Sequence, residues 1–228
     1  MVALQIAALA LAGFDVLQID LLGCGDSSGD FEDATWANWV ADGKLGLEWL
    51  QANSDAPLWL WGLRCGALLA MDIARQHELE TSLLLWQPVF SGANVVRDFL
   101  RLAVAGELAS GKGKEKTAEM RALLKAGQAV EVAGYGLSAA MADQIASVTL
   151  AGDSSKNNWP KRVGWLEVGN GFQASPAAMA LLGRMQAEGS WALYRTLSGA
   201  PFWQTSEIET VPELISETVT LLTEFENA

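Results

Sequence analysis

Two periods of apolar and polar residues alternate along this chain. Leu58-Trp-Leu-Trp61 is a continuous apolar run of strand length, and Ala67-Leu-Leu-Ala-Met-Asp-Ile-Ala-Arg75 continues at helical spacing to about His77. Gly62 and Gly66 stand between them, so the pattern predicts a sharp strand-turn-helix elbow at 62–66, where small residues let a helix pack on its own strand. Upstream, residues 2–12 read as a helix ended by Gly13, and Phe14-Asp-Val-Leu-Gln-Ile19 as a strand. Asp20 to Gly29 is turn chemistry throughout. A helix follows, capped by Asp33 or Thr35 and running to about Ala52, with a broad apolar face of Trp36, Trp39, Val40, Leu45, Leu47, Trp49 and Leu50. Thr81 to Trp86 reads as a strand buried on both faces, closed by Gln87-Pro88.

The rhythm breaks between about Ser91 and Asn158. Val95–Leu108, Thr117–Ala126 and Leu137–Val148 look helical, with a short extended piece from Val130 to Tyr135. Alternation then resumes with a strand at Arg162–Val168, a helix at Pro176–Glu188, a strand at Trp191–Leu197, a loop at Ser198–Thr210 and a helix at Val211–Phe225. This order predicts an α/β fold, a mostly parallel sheet with flanking helices and an inserted helical cap. The expected divisions are 1–90 for the first part of the core, 91–158 for the cap and 159–228 for the rest of the core.

Composition narrows the partners. With 228 residues, half of them hydrophobic and 18% charged, the chain can bury a sizeable core. A net charge of −12 leaves no basic stripe for phosphates, so nucleic acid is not expected as a partner. The one cationic cluster, Lys112 to Lys116, is interrupted by Glu115 and reads as a solvated loop. Two cysteines make no disulfide framework and suit a reducing compartment. No run of about 20 apolar residues is present to span a membrane. The apolar start at 1–12 lacks a basic residue and is interrupted by Gln5, so it reads as a packed helix rather than a leader, and the expected location is cytoplasmic.

Gly62-Leu-Arg-Cys-Gly66 has the glycine frame of the G-x-S-x-G nucleophile elbow, with Arg64 where the serine belongs. Asp20-Leu-Leu-Gly-Cys-Gly-Asp-Ser-Ser-Gly29 resembles the D-x-x-G-x-G-x-S-x-G loop of lipase-like and aminopeptidase-like α/β-hydrolases, and the elbow follows at a fitting distance. More narrowly, Gly23 to Asp30, Trp61 to Ala70, Val132 to Tyr135 and Gly199-Ala-Pro-Phe-Trp203 resemble the exosortase A system-associated hydrolases of the second type. That group is linked to exopolysaccharide and protein-sorting gene neighbourhoods, and is called hydrolase by its fold.

Carried over position by position, the resemblance places Arg64 at the nucleophile, Gly199-Ala-Pro-Phe202 where the general base normally stands, and Gly169-Asn-Gly-Phe172 at the acid position. None supplies the expected group, and the sole histidine, His77, is over two turns from the elbow tip. The resemblance also implies strands before Met1, including a central one between the Phe14 strand and the elbow strand. Its loop would carry an oxyanion donor, so the sequence reads as lacking the N-terminal strands. Without that central strand the two flanking it would lie too far apart to pair.

Arg64 has two readings. Beside a helix N-terminus, its guanidinium would attract a carboxylate or phosphate, or it forms a buried pair with Asp20 or Glu167. Cys65 reads as a small packing residue, or as a thiol nucleophile whose pKa falls at the helix start. Cys24 reads the same way and could pair transiently with Cys65. Ser27 and Ser28 read as turn caps, Asp20 as an organiser of its loop, and His77 as a residue at a helix end. Most of the ten tryptophans fit core packing, while Phe202 and Trp203 fall in a loop at the pocket end and fit a ligand site. The candidate ligand-binding set is Arg64, Cys65, Cys24, Phe202 and Trp203. No cofactor and no metal are assigned. Two functions follow: a binding or accessory protein holding a small acidic ligand or a protein partner, and an ester or thioester hydrolase with a nucleophile such as Cys65.

Overall fold

A computed structural model describes residues 1–76, 80–104, 113–152, 159–169, 174–205 and 207–227. The chain divides into two compact units, one of residues 1–18, 48–88 and 153–228, the other of residues 19–47 and 89–152.

The first unit is built on four parallel strands, β1 (Leu58–Leu63), β2 (Thr81–Trp86), β5 (Arg162–Gly169) and β6 (Trp191–Ser198), in the order β1-β2-β5-β6. All six residues of β2 are buried, as its unbroken apolar sequence requires of a strand paired on both edges. Helix α3 (Cys65–Gln76) returns along β1, and the close approach explains Gly62, since a Cβ there would collide with the Gly66 carbonyl. Helices α1 (Val2–Leu11), α7 (Pro176–Ala187) and α8 (Pro212–Glu226) complete this unit. α8 lies directly on β5, where a side chain at Gly164 would run into Leu221. Its apolar stripe of Leu214, Leu221, Leu222 and Phe225 shares one core with Leu84, Trp86, Leu166 and Leu9 of α1. The stripe also carries Thr218, whose hydroxyl accepts a 3.0 Å hydrogen bond from Trp86 Nε1 and donates to the Leu214 carbonyl.

One expected strand is absent. Residues 14–20 form no strand, although Phe14 and Val16 pack into the same core as Trp59, Trp61 and Leu63. Local apolar residues are not enough to make a strand, which also needs a neighbouring backbone to bond to. β1 is bonded to β2 alone, so among the described residues its other edge carries no partner.

The second unit holds helices α4 (Gly92–Ala103), α5 (Gly113–Lys125) and α6 (Ala139–Ser147), with an antiparallel hairpin of β3 (Val130–Val132) and β4 (Tyr135–Leu137). The expected extended piece is thus a hairpin, turning at Ala133 and Gly134, both at positive φ. α4 begins three residues earlier than the periodicity suggests, and residues 105–108 of its expected length lie outside the described residues. α4 crosses α6 so closely that a Cβ at Gly92 would strike the Ile145 carbonyl. Phe31, Trp39, Phe99 and Tyr135 form a ring cluster, with centroids 5.8–6.2 Å apart around Phe31. Helix α2 (Trp36–Asn53) buries Trp36, Val40 and Leu47 as expected, whereas Leu45 and Trp49 stay exposed.

Candidate functional site

The elbow forms where the glycine frame places it. β1 ends at Leu63, α3 begins at Cys65, and Arg64 between them has φ of 55°, the left-handed region that a residue with a Cβ rarely adopts. Its amide donates to the Trp86 carbonyl at 3.0 Å and its carbonyl accepts from Ala67 N at 3.1 Å, so the residue ends the sheet ladder and starts the helix at once. Space is open beside Gly66, where a Cβ would meet nothing within 4 Å.

The Arg64 guanidinium lies over the Trp203 ring, 5.6 Å from its centre. From there an aromatic chain runs into the sheet. Trp203 meets Phe202 at 5.0 Å, Phe202 meets Trp86 at 6.2 Å, and Trp86 meets Trp61 at 4.7 Å, all edge to face. The loop base is fixed at Gly199, where a Cβ would stand 2.9 Å from both Val168 and Val211. The position expected to hold a general base is therefore filled by aromatic packing. Phe202 and Trp203 are half-buried, and Trp203 Nε1 is buried with no hydrogen-bond partner among the described residues.

Cys65 is half-buried at the head of α3. Burial pushes its thiol up to about 11, and the Arg64 charge beside it only partly offsets this. On the thiol-nucleophile reading the helix start lowers that pKa; loss of water outweighs it, as suits a packing residue, and the sulfur is a protonated thiol at neutral pH. Cys24 belongs to the other unit, where burial and the neighbouring Asp20 carboxylate both raise its thiol. Asp20 orders its loop as expected, its Oδ2 accepting from Asp26 N at 2.9 Å. Ser27 and Ser28 lie in the same turn, closed by Ser27 N to Cys24 O and Gly23 N to Ser28 O, each 3.0 Å.

Glu167, one of the acids considered for Arg64, accepts from Trp165 Nε1 at 2.9 Å and from the Tyr194 hydroxyl at 2.7 Å. Burial, together with the Glu167 hydrogen bond, raises the Tyr194 hydroxyl pKa. Gln87, which the sequence marks only as the end of a strand, is a second strained residue at the same end of the sheet, with φ of 42°. Its amide donates to Leu166 O at 2.8 Å and its Oε1 accepts from Val168 N at 2.7 Å, tying the ends of β2 and β5 together. Nothing local in the sequence signals this conformation, since a following proline favours extended backbone at the residue before it. His77 and Asn170, Gly171 and Phe172 of the expected acid position lie outside the described residues. Among the described residues no cluster of three metal-ligating side chains occurs, and no helix is long and apolar enough to cross a membrane.

No protein-family model and no curated protein matches the chain. Solved structures do. One is reported with LipS and LipT, two metagenome-derived lipolytic enzymes, at a TM-score of 0.59 and 14% identity over 98% of this chain and 87% of that one. Another, reported with carboxylesterases of the thaumarchaeon Nitrososphaera gargenis, has a TM-score of 0.57 and 17% identity over 99% and 85%. A variant of the meta-cleavage product hydrolase CumD has a TM-score of 0.53 and 16% identity over 97% and 84%. The mostly parallel sheet, its flanking helices and these neighbours define an α/β-hydrolase fold.

Proposed function

We propose that this chain is a hydrolase-fold binding or accessory protein, without a working Ser-His-acid triad, whose ligand site is marked by Arg64. Arg64 carries the reading: a bulky cation stands at the tip of a retained elbow, in a backbone conformation that favours glycine, beside the first turn of α3. A guanidinium and a helix N-terminus both attract carboxylate or phosphate. The protonated Cys65 thiol and the aromatic filling of the base position argue the same way, because acyl transfer needs a nucleophile activated by a base within hydrogen-bond reach. The narrower association with exosortase and exopolysaccharide systems rests on the sequence resemblance of Gly23–Asp30, Trp61–Ala70, Val132–Tyr135 and Gly199–Trp203, and goes with a cytoplasmic location. A fluorophosphonate and ester-substrate screen, with Arg64→Ser beside the unmodified protein, tests the proposal. The expected result is no labelling or turnover, and thermal stabilisation by small anions that Arg64→Ser abolishes. Turnover by the unmodified protein that disappears in Cys65→Ala would instead assign an ester or thioester hydrolase.

A further inference from the structure

The four-stranded sheet has two edges, and they are built differently. β6, at one end, carries Arg195, whose guanidinium donates to Glu224 at 2.9 Å and lies 3.8 Å from Glu217. A charged side chain of that kind keeps an edge from pairing with other chains. β1, at the other end, is Leu58-Trp-Leu-Trp-Gly-Leu63, with no charge, no proline and an unbroken register against β2. Five of its six residues are only half-buried, whereas all six of β2 are buried. The Arg64 amide donates to the Trp86 carbonyl, so strand alternation turns the Leu60 and Gly62 amides toward β2 and those of Trp59, Trp61 and Leu63 outward.

Residues 14–18, of the same compact unit, pack Phe14 and Val16 into the core shared with Trp59, Trp61 and Leu63. Yet among the described residues the backbone of 15–18 makes no hydrogen bond to another backbone. Gln5 of α1 lies one helical turn from Met1 and from Leu9, both of which pack in that core. Its side-chain amide is buried, with neither atom hydrogen-bonded among the described residues. Buried polar groups are rarely left in that state. The charge around this edge has one sign: no lysine or arginine occurs in residues 1–43 or 45–63. Asp15 and Asp55 are exposed at the start of β1, where Ser54 Oγ donates to Asp15 at 3.1 Å. Outward amides and carbonyls call for an extended backbone opposite them, the core beside them calls for apolar side chains, and the aspartates call for a cation.

We infer that the outer edge of β1 is a docking surface for an extended, mostly apolar segment of a partner protein, flanked by basic residues, which adds to the sheet as a further strand. This surface does not depend on the Arg64 reading. The probe is a synthetic peptide of repeated Val-Thr pairs with arginines at both ends, added to the intact protein while amide hydrogen exchange is followed by NMR. In the free protein the Trp59, Trp61 and Leu63 amides should exchange faster than those of Leu60, Gly62 and Arg64. The peptide should slow the first three by about tenfold or more. The same peptide N-methylated at alternate residues, which cannot complete a ladder, should leave them unchanged. A version with glutamates in place of the arginines should bind about fivefold more weakly at low salt, a gap that closes as salt rises and in the double variant Asp15→Asn, Asp55→Asn. Equal protection of all six amides before any peptide is added would show the edge already covered and would overturn the inference. So would protection that appears without peptide as the protein is concentrated, because the occupant would then be a second copy of this chain. Failure of the arginine peptide to bind, binding that leaves the three amides exchanging freely, or equal binding of the N-methylated peptide would each exclude strand addition. Indifference to the glutamate exchange would remove the basic flank from the partner.

Discussion

Arg64 and Trp203 meet at the elbow, the guanidinium carbon 5.6 Å from the indole centre, so the residue in the nucleophile position is held by the loop that would ordinarily supply the base. A ring contact and a backbone strain oppose one another at Arg64. Its contact with the ring stabilises by about 0.5–1 kcal/mol, and its φ of 55° costs about 1–2 kcal/mol in a residue with a Cβ. Arg64→Ala loses the first and keeps the second, whereas Arg64→Gly loses both. Arg64→Gly is therefore expected to be more stable than Arg64→Ala by about 1 kcal/mol, measured by urea unfolding. Equal stability would mean that the elbow carries no backbone strain.

Glycine has different meanings at Gly62 and Gly183. At Gly62 an added Cβ meets the backbone of Gly66 and Ala67, which cannot move without parting α3 from β1. Gly62→Ala should destabilise the protein by about 1–3 kcal/mol. Gly183 lies within α7, exposed, with nothing within 4 Å of a built Cβ. Gly183→Ala should stabilise by about 0.5–1 kcal/mol through helix propensity alone. Thermal melts of the two variants, moving in opposite directions, are the check.

The parts of the molecule that the sequence made legible are those governed by local chemistry. The elbow, β2, β5, β6 and the helices after them follow from glycine placement, apolar runs and helix-start signals such as Pro176 in the first turn of α7. Phe14–Ile19 shows the limit. Phe14 and Val16 pack into the core, but strand formation depends on a second backbone that the local pattern cannot report. The contact of Arg64 with Trp203 was equally invisible, because 139 positions of chain separate the two residues (203 − 64) and no periodicity links them. The two readings of Cys65 could not be separated for a related reason. A helix start can be read from sequence, whereas the loss of water around one sulfur depends on the completed fold.

Cys65 gives a pH signature. Its thiol is pushed up to about 11 in the folded protein, above the value of about 8.5 for a free cysteine. The folded state thus holds this proton more tightly than the unfolded chain does. The corresponding stability is fully present below about pH 8.5 and is lost as pH rises toward 11. Iodoacetamide should scarcely alkylate Cys65 in the folded protein at pH 7.5, with the rate climbing only near pH 10–11, and Cys65→Ala should flatten the fall in melting temperature across that alkaline range. Rapid alkylation at neutral pH would show a thiolate, and with it an activated nucleophile.

Trp86 and Thr218 join β2 to α8 by a polar bond inside the core. Trp86 Nε1 donates to Thr218 Oγ1 at 3.0 Å, and that hydroxyl in turn donates to the Leu214 carbonyl at 2.7 Å, with both side chains buried. Thr218→Val keeps the shape but strands the indole N–H, so it should cost about 1–3 kcal/mol. Trp86→Phe removes the donor and also leaves a cavity against Trp61, and its loss should be larger, about 2–4 kcal/mol. If the stranded donor is the source of the Thr218→Val penalty, that penalty disappears once Trp86 is already phenylalanine. The double variant should then be less destabilised than the sum of the two singles by about 1 kcal/mol or more, measured as a cycle of urea unfolding free energies. Simple additivity would show that α8 is seated by its apolar stripe alone, with the hydroxyl contributing nothing specific to its register.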